Sequence, residues 1–226
     1  MSAAACAVVV LAGCGSGGGS TKSDSAPSTP RDQLVLAESE FPAGTKKMDI
    51  PQDKLQSTLA DLNGTMANTT VSPAECKGPQ VDVAAGAKDI LSKSTIALAA
   101  TEDMTMYVDY VSGQVMDLSK MVENYAKCPE VKATSTVSGQ QVDGTTTVAK
   151  LSVPAALAGT NAIAYKTTGV STVGDAQPIT RTTYEGYTTL RGLTVGVRIT
   201  SMSNAPDQAA FDTFFTTAVQ KVQNAK

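Results

Sequence analysis

The chain has 226 residues and a formal net charge of −3, from 18 basic and 21 acidic side chains. It contains no histidine and no tryptophan. The lack of histidine excludes Ser-His-Asp and Cys-His catalytic arrangements, and it leaves cysteine and carboxylate as the ligands for a zinc site. Basic residues are not clustered along the sequence, which argues against nucleic acid as a partner. Only 17% of the residues are charged, and threonine and valine are frequent, which favours an exported protein rich in β-structure.

The N-terminus carries a short apolar run that ends in Leu11-Ala12-Gly13, directly before Cys14. This spacing resembles the bacterial lipobox closely. The resemblance implies cleavage before Cys14, a diacylglycerol thioether on its sulfur and acylation of the new amino group, so that acyl chains hold the protein on the outer face of the cell membrane. The first 13 residues carry no charge, unlike an ordinary signal peptide, so we expect the natural start upstream. The alternative is a free cysteine in a tail of small residues.

Three segments follow from this interpretation. Residues 1–13 are a lipoprotein signal peptide, residues 14–31 are a lipidated, flexible Gly/Ser/Pro tether, and residues 32–226 are a single domain. A coil of the tether's length spans roughly 20–25 Å. No other window is apolar enough over 18 residues to predict a transmembrane helix.

The first half of the domain mixes short strands and helices. The pattern predicts a strand at 45–50, a helix at 51–62, a helix start with Ser72 as N-cap and Pro73 as first helical residue, strands at 96–101 and 104–111, and a helix at about 112–127. The buried face expected for this last helix consists of Val115, Leu118, Val122 and Tyr125.

Acidic residues cluster at one point of this half. Glu102 and Asp103 lie in the turn between two predicted strands, and Asp109 follows in the second strand. A catalytic carboxylate pair needs one member with a raised pKa. We interpret these three residues as solvated turn and strand positions instead.

After Pro129 the hydrophobic pattern changes to a period of two. Five strands are predicted at 131–137, 145–153, 162–170, 179–188 and 193–201, joined by short turns that favour antiparallel neighbours. The chain ends in an amphipathic helix at about 206–223. We expect this helix to pack across the sheet, because a membrane-surface helix would carry basic residues on its polar face.

Four cysteines are present, and two of them remain after Cys6 is removed with the signal peptide and Cys14 is lipidated. In an oxidising compartment the economical interpretation is a Cys76–Cys128 disulfide. The alternative is a pair of buried free thiols. No Cys-x-x-Cys sequence supports a redox role.

An ordered set of motifs carries a family resemblance over residues 32–226. The set consists of Phe41-Pro42-Ala43-Gly44 followed by Ile50-Pro51, Ser72-Pro73-Ala74-Glu75-Cys76, Cys128-Pro129 after a helix, Leu151-Ser152-Val153-Pro154-Ala155 before Ala162-Ile163-Ala164-Tyr165, and Arg191-Gly192 before the last strand. The chain resembles actinobacterial, mycobacterial-type lipoproteins whose domain is similar to the extracellular sensor domain of a mycobacterial serine/threonine kinase. The resemblance implies an α+β fold: a curved antiparallel β-sheet of about 5–7 strands, with helices on one face, including the amphipathic C-terminal helix, and a groove. Such kinase sensor domains have two disulfides, whereas this chain has cysteines for one, and the family has no agreed catalytic residues.

Three functions are compatible with these features. The first is a non-catalytic envelope lipoprotein that binds a small or lipidic ligand in a groove between sheet and helices, without a cofactor or metal. The candidate ligand-binding residues are Tyr107, Tyr110, Tyr165, Arg181, Tyr184 and Tyr187, for which ordinary strand packing is the alternative. The second is a protein-interaction accessory module of an envelope enzyme, kinase or transporter. The third is an enzyme without histidine, for which the sequence has neither Ser-x-x-Lys nor Gly-x-Ser-x-Gly.

Overall fold

The structure is a computed structural model that describes residues 25–49, 69–79, 93–137, 139–202 and 205–226. These residues form one open antiparallel sheet of nine strands, in the order β1-β3-β4-β9-β8-β7-β6-β5-β2. The strands are β1 (Lys46–Lys47), β2 (Thr70–Ser72), β3 (Ser94–Ala100), β4 (Met106–Ser112), β5 (Glu130–Val137), β6 (Gln140–Lys150), β7 (Ala162–Val173), β8 (Ile179–Leu190) and β9 (Leu193–Ser201). Among the described residues, the longer helices are α1 (Leu118–Lys127) and α2 (Gln208–Asn224).

The main core lies between α2 and the centre of the sheet. The apolar face of α2 is fully buried at Phe211, Phe214, Phe215, Ala218, Val219 and Val222. It packs on alternate residues of β9, namely Val195, Val197 and Ile199, which are also fully buried. The expectation that the C-terminal helix crosses the sheet and supplies much of the core is confirmed, because a helical period of 3.6 and a strand period of two define matching apolar faces.

Helix α1 lies on the opposite face of the sheet. Its Leu118 packs with Ile163 and Tyr165 of β7, and these side chains point away from the neighbouring Ala164, which belongs to the main core. The expectation that the helices share one face is therefore wrong. The periodicity of a helix shows that it has an apolar side, but it does not show which side of a sheet that helix covers.

The number of strands exceeds the expected 5–7. Strands β1 and β2 have two and three residues and lie at the two edges of the sheet; β1 falls within the strand predicted at 45–50, whereas β2 was not predicted. Strands this short carry no readable alternation, so their pairing depends on their neighbours. The five strands predicted after Pro129 are confirmed, although β6 begins at Gln140 and makes the β5–β6 turn tighter than expected.

Helix α1 begins later than predicted. Asp117 is its N-cap and accepts a hydrogen bond from the Lys120 backbone N–H at 3.0 Å. Before this cap, the Thr194 hydroxyl accepts from the Met116 N–H at 2.8 Å and donates to the Gln114 carbonyl at 2.7 Å. These bonds hold the preceding segment against β9 outside the helix, and Val115, assigned to the buried face, is 57% exposed.

Residues 25–41 form a strap that runs along α2 toward the edge of the sheet. The Ser28 N–H donates to the Lys226 carbonyl at 2.6 Å, although the sequence assigns residues 25–31 to the tether. Arg191, in the β8–β9 turn, donates to the Ser25 carbonyl at 2.9 Å and to the Val222 carbonyl at 3.2 Å. One arginine therefore joins the start of the strap to the last carbonyls of α2, which lack partners within the helix.

Asp109 does not fit its interpretation as a solvated strand residue. It is 0% exposed in β4, beneath the strap, where one carboxylate oxygen accepts from the Leu36 N–H at 2.7 Å. The other oxygen has no partner within the described part of the chain. Tertiary packing of the strap, which strand alternation does not report, buries this residue.

Other predictions meet the structure only in part. The short turn after β2 is a 3-10 turn, Ala74–Cys76, with Pro73 rather than Ser72 at its N-cap. The predicted helix at 51–62, the signal peptide with Cys6, and Cys14 lie outside the described residues.

Candidate functional site

The six residues predicted to bind a ligand are divided between the two faces of the sheet. Tyr107 and Tyr184 are buried in the main core under α2. Their rings lie 5.4 Å and 5.5 Å from the rings of Phe214 and Phe211. These two tyrosines are therefore packed in the core, which is the alternative to ligand binding given above. The opposite face, on which α1 lies, carries the other four residues, Tyr110, Tyr165, Arg181 and Tyr187.

A charge pair lies at the centre of the α1 face. Glu185 of β8 and Arg198 of β9 are direct cross-strand neighbours. A guanidinium nitrogen, Nη2, lies 2.9 Å from the carboxylate oxygen Oε1. The glutamate side chain is 7% exposed, whereas the arginine side chain is 50% exposed. The pair therefore spans the boundary between the buried layer and solvent.

Tyrosine hydroxyls surround the other oxygen of this carboxylate. Tyr187 donates to Glu185 Oε2 at 3.0 Å, and Tyr125 of α1 approaches the same oxygen at 3.4 Å. The Tyr125 ring also lies edge-on to Tyr165, with centroids 4.7 Å apart. Helix and sheet are thus joined by one polar network, in which Glu185 accepts from three donors. We name Tyr110, Tyr125, Tyr165, Tyr187, Glu185 and Arg198 the tyrosine cluster.

Tyr110 reaches the cluster across a glycine. Gly196 of β9 pairs directly with Tyr110 and with Tyr187, so it lies between the two tyrosines. A Cβ atom on Gly196 would overlap the Tyr110 ring. Because glycine has no side chain, the Tyr110 ring can pack directly over Gly196, with its centroid 6.5 Å from that of Tyr187.

Burial and charge fix the protonation of these groups. Burial raises the pKa of Tyr110, Tyr125 and Tyr187, and the negative charge of Glu185 raises each pKa further. The same carboxylate raises the pKa of Arg198. At neutral pH the three phenols are hydrogen-bond donors and the arginine is a cation, so the cluster has a fixed polarity.

Three members of the cluster are absent from the sequence-based prediction. Glu185 is a single acidic residue in a strand of threonines and tyrosines, and Arg198 alternates with the apolar residues of β9. Because side chains alternate along a strand, these two charged positions indicate the face of the sheet opposite to the apolar one. This alternation is the signal that the sequence offers for Glu185 and Arg198. The register that sets Glu185 opposite Arg198, and the arrival of Tyr125 from α1, are decided by the fold.

The predicted disulfide lies at the end of α1. Cys76 and Cys128 are bonded, with Cα atoms 5.8 Å apart, and both are buried against Val71 and Val131. The bond links the last residue of the α1 region to the turn after the edge strand β2. It therefore anchors the helix that covers the tyrosine cluster.

The described residues contain no group of three or more potential metal ligands. None of their helices is both long and apolar enough to cross a membrane. Two shallow depressions of about 410 Å³ each lie along the strap and α2, on the face opposite the tyrosine cluster.

Comparisons with known proteins give one structural similarity. No family model matches the chain, and no curated protein matches it. An uncharacterised protein from Mycobacterium smegmatis, described as the ortholog of Rv0999, is similar with a TM-score of 0.44 and 12% identity. The match covers 86% of this chain and 97% of that protein. A similarity this loose carries no information on the function of this chain.

Proposed function

We propose that this chain is a non-catalytic lipoprotein of the cell envelope that binds a small or lipidic ligand between the sheet and α1. The observation that supports the proposal is the half-exposed Arg198, held by the buried Glu185 inside a ring of tyrosines. Binding sites typically combine apolar and aromatic walls with a few oriented polar groups. The tyrosine cluster has this composition.

Arg198 has N–H donors that a ligand could use. A guanidinium carries five N–H donors, and among the described residues Arg198 has one ion-pair partner, Glu185. Glu185 also accepts from Tyr125 and Tyr187, so its charge is stabilised by more than the arginine. Arg198 therefore has N–H donors available for a polar group of a ligand. The neighbouring tyrosine rings offer an aromatic surface for the apolar part of the same ligand.

Native mass spectrometry of the full chain with Cys14→Ser, secreted by an actinobacterial host, tests ligand binding without the lipid anchor. We expect a stoichiometric lipid or metabolite that is released on denaturation and recovered by organic extraction. Arg198→Met removes the charge and keeps much of the length, and we expect it to lose the ligand. Tyr107→Phe changes a tyrosine on the α2 face and serves as the matched control that keeps it.

Two results would contradict the proposal. One is a bare mass with an empty extract from the wild-type chain. The other is a ligand that the folded Arg198→Met variant retains as well as Tyr107→Phe does. A thermal melt of each variant shows whether a lost ligand reflects the site or the fold.

Membrane anchoring through Cys14 belongs to the same proposal and has a separate test. We expect the chain in the membrane fraction to carry lipid on the N-terminal peptide that begins at Cys14. Cys14→Ser would release the chain into the soluble fraction. An unmodified Cys14, or a variant that stays with the membrane as the wild type does, would contradict lipidation.

A second function is favoured by exposed apolar residues at one end of the sheet. Met104, Val137, Val173, Ile179 and Met202 are between 37% and 66% exposed. They lie in the turns and strand ends opposite the β8–β9 turn. Clustered exposed apolar residues are typical of protein-interaction surfaces, so an accessory module of an envelope enzyme, kinase or transporter is the alternative. Cross-linking in cells through a photoreactive residue at position 179 would identify such a partner, and position 115, exposed at the other end, is the control.

A further inference from the structure

Four basic residues that are far apart in sequence lie at the end of the sheet where the strap begins. We call this the tether end: the 3-10 turn Arg31–Gln33, the start of β3, the β8–β9 turn and the last residues of the chain. Its basic residues are Arg31, Lys93, Arg191 and Lys226. Hydrogen bonds hold them together, since Arg31 donates to the Lys93 carbonyl and the Lys226 carbonyl accepts from the strap. The acidic residues at this end are Asp32 and Asp117.

These four cations differ in their pairing from the two lysines Lys46 and Lys47 of the far end, where Arg181 near the start of β8 is a further basic residue. Within the described ranges, none of the four forms a salt bridge. At the far end, Lys46 lies 3.4 Å from Glu102 and Lys47 lies 3.6 Å from Asp49, so both lysines are paired. The far end also carries the acidic residues Asp103, Asp175 and Asp207. The described part of the chain is therefore positive at one end and negative at the other.

The chain leaves toward its N-terminus from the positive end. Arg191 holds Ser25 there through the 2.9 Å hydrogen bond to its carbonyl. Ten residues separate Ser25 from Cys14, and a chain of that length spans at most about 40 Å. An anchor on Cys14 would thus connect to the fold at the tether end.

We propose that the tether end is a docking surface for anionic phospholipid headgroups. Basic residues close to an anionic surface are attracted, and the attraction decays over about 10 Å at 0.1 M salt. Strand β8 alone has 12 residues, which extend over roughly 40 Å, so the acidic far end lies well beyond that distance. The net charge of −3 therefore does not prevent binding through this end. Docking presents the sheet upright, with the far end directed away from the membrane.

Vesicle sedimentation tests the surface without the anchor. The full chain carries Cys14→Ser, so the result does not depend on lipidation or on the ligand proposed above. Phosphatidylglycerol–phosphatidylcholine vesicles at low salt are compared with pure phosphatidylcholine vesicles. The variant Lys93→Glu/Lys226→Glu changes two exposed lysines of the tether end. The matched control, Lys46→Glu/Lys47→Glu, makes the same change in net charge at the far end.

We expect the chain to bind the anionic vesicles, to leave them as salt is raised, and to ignore the neutral ones. Each basic residue near such a surface contributes about fivefold in partitioning, so the tether-end variant should bind at least about thirtyfold more weakly. The far-end variant should bind as the wild type does. Equal loss in both variants, or equal binding to both kinds of vesicle, would overturn the proposal. Matching thermal melts exclude unfolding as the cause.

Discussion

Asp109 shows how one residue links burial to pH. It is 0% exposed, Lys221 of α2 acts on it as a positive charge, and Glu40 of the strap adds a like charge. Burial raises the pKa of this carboxyl from 3.8 to about 7, against the lowering effect of the Leu36 N–H and Lys221. An aspartate in this position is therefore protonated in mildly acidic solution and ionised above neutral pH.

This pKa predicts that stability falls as the pH rises. The folded state holds the Asp109 proton more tightly than the unfolded state, so its contribution is present below pH 4 and lost between about pH 4 and 7. At 1.36 kcal/mol per pKa unit, the loss in the free energy of unfolding is about 4 kcal/mol. Asp109→Asn lacks this titration. In urea unfolding, we expect its stability relative to the wild type to rise by that amount across the range.

Asp103→Asn is the control for this measurement. A hydrogen bond from Thr101 lowers the pKa of Asp103, so its contribution is present above its unfolded pKa and lost as the pH falls through the folded pKa. Its pH dependence therefore has the opposite sign and lies in more acidic solution. A constant difference between Asp109→Asn and the wild type from pH 4 to 8 would contradict the account of Asp109.

Gly196 is the second residue with a sharp consequence. Gly196→Ala places a methyl group in the ring of Tyr110, so either the ring or β9 must move. Overpacking of this kind costs about 1–3 kcal/mol. We expect that loss in urea unfolding, together with a changed tyrosine signal in near-ultraviolet circular dichroism.

Gly169→Ala provides the comparison on the same face of the sheet. The nearest atom to its added methyl group is the Arg181 carbonyl oxygen at 4.0 Å, so there is room for it. We expect this variant to be as stable as the wild type or slightly more stable. If the two alanine variants lose equal stability, the cause is the backbone of a strand glycine and not Tyr110.

Among the secondary-structure elements, helix α1 depends most on the disulfide for its attachment to the sheet. The helix contributes one fully packed residue, Leu118, and its other contacts to the sheet are partly buried. The Cys76–Cys128 bond closes a loop with a sequence separation of 52. Loop-closure entropy for that length is about 4 kcal/mol.

We expect Cys76→Ala/Cys128→Ala to lose roughly that stability in urea unfolding. The variant should also lose the near-ultraviolet signal of Tyr125 packed on Tyr165, because α1 is less firmly fixed. Cys6→Ala is the control, since Cys6 leaves with the predicted signal peptide. A loss below about 1 kcal/mol would show that α1 is held by its packing alone.

Elements also differ in how far the sequence predicts them. The strands from β5 to β9 and helix α2 follow from alternation and helical spacing within each segment. Helix α1 was placed correctly but begins later, because Thr194 binds the chain around Met116 before the helix starts. The edge strand β1 lies within the strand predicted at 45–50, whereas β2 was missed, since three residues carry no period.

At the scale of the molecule, the two faces of the sheet have different chemistry. The α2 face buries phenylalanines and aliphatic residues, whereas the α1 face encloses a charge pair and tyrosine hydroxyls. A second difference runs along the strands, from the basic tether end to the acidic far end. The proposed membrane docking involves one end of the sheet and the proposed ligand binding involves one face, so each can be tested without the other.

Local sequence patterns were enough to predict the antiparallel strands, the C-terminal helix and the Cys76–Cys128 disulfide. Each of these features follows from the periodicity of a short segment, which depends on residues that are close together in the sequence, or from the number of cysteines. The tertiary structure alone decided the side of the sheet that α1 covers, the burial of Asp109, the meeting of Glu185 with Arg198, and the gathering of the four basic residues. These features join residues far apart in sequence, and their free energy depends on packing and register that no local period encodes.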